Sequence, residues 1–126
     1  MNDFHDRLIK LVGHQCQVIE IKSGEFVLHV ALAELVGVLK ALRDDTELAV
    51  TQLSDLTAVD FPERPERFDV VYQMLSVNNN MRLRIITRAD EGDIVPSVIG
   101  LFRSADWAER EVWEMFGIYF SGDPAM

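Results

Sequence analysis

Few residue types in this chain have reactive side chains, and their spacing argues against chemistry within the chain itself. His5, His14 and His29 fall on separate stretches, with neither the spacing nor the accompanying acid that a metal ion requires. His29 alternates with apolar strand residues and reads as a structural or surface histidine. Cys16 is the one cysteine, so the chain has no Cys-x-x-Cys pair and no four-thiolate cluster site. Phosphate-cradling and dinucleotide-type glycine runs are absent, and so is a Gly-x-Ser-x-Gly nucleophile elbow. Folding could still gather scattered carboxylates, but no spacing singles out a pair. The residues point to a catalytically silent chain with no cofactor and no metal of its own.

What the sequence offers instead is surface. In the stretch Trp107-Ala108-Glu109-Arg110-Glu111-Val112-Trp113-Glu114-Met115-Phe116-Gly117, a 100° step per residue places Ala105, Ala108, Val112, Met115 and Phe116 on one helical face, expected to cover a sheet. Trp107, Arg110, Glu111 and Glu114 then point away, with Glu109 and Trp113 on the flank. Outward tryptophans suit a protein contact, where Trp and Arg are favoured anchors; equally, the two rings could lie flat over the domain's own surface. A second candidate surface is the outward row Arg82, Arg84 and Arg88. It reads either as a docking face for a partner's carboxylates or as cationic protection of an edge strand.

The elements that must position these residues follow from periodicity. Residues 4–12 put Phe4, Leu8, Leu11 and Val12 on one helical face, ending at Gly13. Residues 17–22 and 25–30 read as a hairpin across Ser23-Gly24. Leu32, Leu35, Val36, Leu39 and Leu42 form a helical stripe, closing near Arg43. An extended stretch is expected over 47–59, followed by a proline-bounded loop at 62–67. Strands are expected at 68–77 and 81–88, joined through Asn78-Asn79-Asn80. After the loop at 89–93 the chain reaches Pro96 and a helical tail, which Ser104 is placed to cap. The order helix, two strands, helix, three strands, helix predicts an α+β two-layer domain over residues 1–126, a mixed or antiparallel sheet covered by helices.

Composition narrows the partners. Twelve basic against 21 acidic residues give a net charge of −9, which argues against duplex nucleic acid and against charge-driven binding to anionic lipid. The most apolar stretch, 26–42, is interrupted by His29, Glu34 and Lys40, and no direct membrane insertion is expected. The acidic N-terminal residues do not resemble an export or organellar leader.

Glu109-Arg110-Glu111-Val112-Trp113-Glu114-Met115-Phe116-Gly117-Ile118 resembles the signature of the C subunit of the proton-translocating NADH–quinone oxidoreductase, respiratory complex I. The stretches at 55–60, 62–72 and 95–98 resemble the same family. The resemblance covers 1–124 and is strongest from 46 onward. The family pattern continues as Gly-His-Pro and an arginine. This chain has Gly122-Asp123-Pro124 and ends at Met126, so the family's C-terminal extension is expected to be missing. The resemblance implies a non-catalytic peripheral-arm subunit without flavin or cluster, which scaffolds the quinone-reducing module. It would be held by partner subunits on the cytoplasmic side of the inner (plasma) membrane, chiefly by the large quinone-site subunit. Interface roles are expected for Arg82, Arg84, Trp107, Glu109, Arg110, Glu111, Trp113 and Glu114. Related membrane-bound hydrogenases and formate hydrogenlyases use an equivalent subunit, and a free-standing binding module is the remaining alternative.

Overall fold

A computed structural model describes residues 2–124. Met1, Ala125 and Met126, at the two ends of the expected 1–126 span, lie outside the described residues. Helix α1 (Asn2–Val12) buries Phe4, Leu8 and Val12, which repeat every four residues and so share one face. Strands β1 (Cys16–Lys22) and β2 (Glu25–Val30) form the expected hairpin. Ser23 and Gly24 both take positive φ (53° and 78°), the twist that lets two residues join right-twisted strands.

Helix α2 (Leu35–Asp44) starts later than its apolar stripe suggested, because residues 32–34 form a 3-10 turn first. Its buried side chains are Leu35, Val38, Leu39 and Leu42. The extended stretch expected from 47 begins only at β3 (Gln52–Asp60). The intervening residues turn inward: Asp45 accepts the Leu48 amide (2.9 Å), Val50 N–H donates to the Leu42 carbonyl (3.1 Å), and Ala49 takes φ of 45°. Leu48 and Val50 alternate because both plug the core between α2 and the sheet, not because they pair with a strand.

Strands β4 (Phe68–Ser76) and β5 (Met81–Ala89) pair antiparallel through the asparagine turn, and β5 pairs parallel with β2. The sheet order is β1-β2-β5-β4-β3, which makes it mixed. A parallel β2–β5 pair needs a long crossover, and α2, β3 and β4 supply it. The α+β architecture expected from the element order is therefore the observed one. Two three-residue strands were not foreseen: β6 (Ile94–Pro96) and β7 (Tyr119–Ser121), paired parallel on either side of α3 (Ala105–Phe116). Three residues are too few to show a period, so only the fold reveals them.

One continuous core joins all three helices to one face of the sheet, through Phe26, Leu28, Leu56, Tyr72, Met74, Leu83 and Ile85 among others. The alternate residues face away. On that uncovered face Val27, in register with Arg84, and Val71, in register with Ile86, are also buried. The sheet order settles the two readings of the arginine row against edge protection: β5 is the central strand, so Arg82, Arg84 and Arg88 cross the middle of the uncovered face.

Candidate functional site

Helix α3 brings most of the expected interface residues together. It packs along β3 with Ala105, Glu109 and Val112 buried, and ends at Gly117, whose φ of 74° lets its amide close on the Trp113 carbonyl at 2.8 Å. Ser104 does not cap it as expected. Its hydroxyl donates to the Leu53 carbonyl of β3 (2.9 Å), pinning the helix start to the sheet. On the outer surface stand Trp107, 66% exposed, and Trp113, 40% exposed, with Glu111 and Glu114. Arg110 lies half-buried between them, 3.5 Å from Asp106 one turn back and 5.3 Å from the centre of the Trp107 ring. Its cation is thereby held over an indole instead of being left free in water.

Two assignments on this helix are corrected. Met115, expected on the core face, is 73% exposed, while Phe116 tucks edge-on against Phe68 at 6.1 Å. Glu109, expected on the flank and counted as an interface residue, is fully buried in the chain's own interior. The helical wheel already set Glu109 near Ala105 and Val112. Its charge argued for the outside, and the fold overrides that argument by supplying partners.

Those partners come from two other segments. Ser97 Oγ donates to Oε1 of Glu109 at 2.6 Å, and the Val98 amide donates to Oε2 at 2.8 Å, both just past β6. The buried Asp123, just past β7, shares a hydrogen bond with the Glu109 carboxyl. Loss of hydration pushes Glu109 up to about 7; the bonds from Ser97 and Val98 oppose this, and Asp123 reinforces it. Two negative charges meeting in an apolar surround would repel, so the Asp123 contact favours the protonated form of Glu109. The phenol of Tyr72 on β4 is fully buried nearby. Burial first, and the Glu109 charge second, raise its ionisation well above the usual range.

Asp123, Ser97 and Tyr72 were missed as members of this cluster. Asp123 did carry a signal, as the acid standing where the resembled family pattern has histidine. Ser97 and Tyr72 carried none.

Arg82 and Arg84 are not near α3's outer surface, because they lie on the uncovered face of the sheet. Arg84 is 3.7 Å from Glu25 on β2, and Arg88 is 4.0 Å from Asp69 on β4, while Arg82 is exposed. The structure thus divides the expected interface residues between two surfaces and removes Glu109 from both. Cys16 is half-buried, and desolvation lifts its thiol to about 11, which leaves little thiolate at neutral pH. Among the described residues no three His, Cys, Asp or Glu side chains converge as a metal would need, and no helix is long and apolar enough to cross a membrane.

The architecture recurs in solved structures. It superposes with a TM-score of 0.85 on a solved trypsin-resistant fragment of Nqo5, at 25% identity over 98% of this chain and 99% of that one. It matches a chain of the archaeal membrane-bound sulfane sulfur reductase with the same TM-score at 20% identity, a likeness of fold alone, covering 99% of this chain and 72% of that one. The sequence is more specific: residues 28–126 match the family described as respiratory-chain NADH dehydrogenase, 30 Kd subunit, and the chain belongs to that family. It is 45% identical over 113 residues to the C subunit of NADH-quinone oxidoreductase from Brucella abortus, covering 90% of this chain and 56% of that protein. It is 44% identical over 124 residues to NADH-ubiquinone oxidoreductase subunit 9 of Reclinomonas americana, covering 98% of this chain and 61% of that protein. The chain thus spans a little over half the length of these relatives.

Proposed function

We propose that this chain is a non-catalytic peripheral-arm subunit of a proton-translocating NADH–quinone oxidoreductase, scaffolding the quinone-reducing module while electrons pass from NADH to quinone in other subunits. The observation that carries the reading is the outer surface of α3. There Trp107 and Trp113 stay exposed around the clamped Arg110, within the segment that resembles the family signature. An exposed indole beside a guanidinium is the kind of anchor that concentrates binding energy once a neighbour excludes water. The partner is the large quinone-site subunit, and the chain holds no flavin, metal or cluster of its own. It sits on the cytoplasmic side of the membrane, attached through its partners. Arg82 and Arg84 on the uncovered sheet face supply a second contact.

The test is assembly. Co-expressed with the peripheral-arm subunits, the chain is expected to co-purify with the large quinone-site subunit. Arg110→Ala should weaken that association by about tenfold or more, as anchor residues do, while barely moving the melting temperature of the isolated chain. Equal losses in both measurements would mean that Arg110 serves the fold. A chain that stays alone in extracts containing its assembled partners would eliminate the subunit role.

A further inference from the structure

At Glu109, α3 meets the segments just past β6 and β7, close to the phenol of Tyr72 on β4. Its two oxygens accept from Ser97 and from the Val98 amide, and it also meets a second buried carboxyl, Asp123. Beside this contact the Ser97 amide donates to the Ser121 carbonyl at 2.9 Å, so β6, β7 and the carboxyl pair form one joint. The apolar residues on and beside β6 and β7, Val95, Val98, Ile118 and Phe120, are all buried. The titratable groups facing Glu109 are Asp123, from the segment after β7, and Tyr72, from β4.

We propose that Glu109 is a proton-dependent latch, in which a proton on its carboxyl, facing Asp123, holds β7 and residues 122–124 against α3, and loss of that proton to solvent loosens them. The latch does not depend on the assembly role, since its contacts all lie within this chain.

The direction of the pH dependence follows from the raised carboxyl. The closed joint binds the Glu109 proton up to about 7, whereas an opened, hydrated Glu109 releases it near the ordinary value of 4.5. The latch is therefore fully closed below about 4.5 and weakens as pH rises to about 7. Above that both states have lost the proton, and the dependence levels off. Each pH unit within the window raises the opening constant by about tenfold, for a total of roughly a hundredfold or more. Near-neutral conditions place the joint at the weak end of its range.

Amide hydrogen exchange on this chain, corrected for intrinsic rates and followed by NMR, tests the proposal together with a carbon-13 titration of the Glu109 side-chain carboxyl. The amides of β7 and Ser97 are expected to open through a smaller, denaturant-insensitive event than those of β5. Their protection should fall through the window and flatten above it. Glu109→Gln should remove the slope, because its amide can donate to Asp123 without titrating. Asp123→Asn should shrink the slope by letting the Glu109 carboxylate accept an amide hydrogen, and it serves if Glu109→Gln does not fold. Three results would overturn the latch: a Glu109 carboxyl titrating at the ordinary value, an unchanged slope in either variant, or β7 amides that open only together with β5.

Discussion

Tyr72→Phe is expected to make the domain more stable, although it removes a polar group from the centre of the core. The Tyr72 side chain is fully buried on β4, and its hydroxyl makes no hydrogen bond among the described residues. A buried hydroxyl that has given up water without gaining a partner costs about 1–3 kcal/mol. Deleting one oxygen leaves a void of about 10–15 Å³, worth a few tenths of a kcal/mol at the usual cavity cost. The ring itself keeps its packing against the core. The balance is a gain of about 1 kcal/mol, which for a domain of this size raises the melting temperature by about 4 °C. The size of the gain carries information about the neighbour. Tyr72 also feels the Glu109 charge, and this reinforces the burial effect on its ionisation. Urea unfolding with an unchanged m-value, alongside a thermal melt, measures the effect. A loss of about 0.5 kcal/mol or more would refute the reasoning, because it would mean that the hydroxyl is satisfied and the joint around Glu109 is wired differently.

Elsewhere in the fold, Arg7 on α1 contacts Asp45 just past α2, and this hydrogen bond is the main cause holding the Asp45 carboxyl below the ordinary carboxylate range, against the effect of burial. A lowered carboxyl stabilises the fold above its ordinary titration range and loses that contribution as pH falls through the lowered one, so urea midpoints should drop in acid and Asp45→Asn should flatten that limb. Gly117→Ala should cost about 1 kcal/mol in chemical denaturation, through the φ of 74° alone, because nothing lies within 4 Å of the added methyl carbon.

The types of the three α-helices and the five longer strands, the hairpin at Ser23-Gly24, the α+β class and the family signature on α3 were all legible in the order of the residues. Each of these rests on local periodicity, turn chemistry or a contiguous run of residues, so each is written within a window of a dozen positions. It took the folded chain to show that Leu48 and Val50 plug the core instead of starting β3, since alternation alone does not say what the apolar residues face. Strand order was equally out of reach. It is the parallel pairing of β2 with β5 that places the arginine row at the centre of the uncovered face and not at an edge. The burial of Glu109 belongs to the same class. A carboxyl goes inside only when donors arrive to meet it, and Ser97 and Val98 come from positions 12 and 11 residues away in the sequence. Whether such groups meet is set by the path of the chain in space, which no pattern of spacing along it contains.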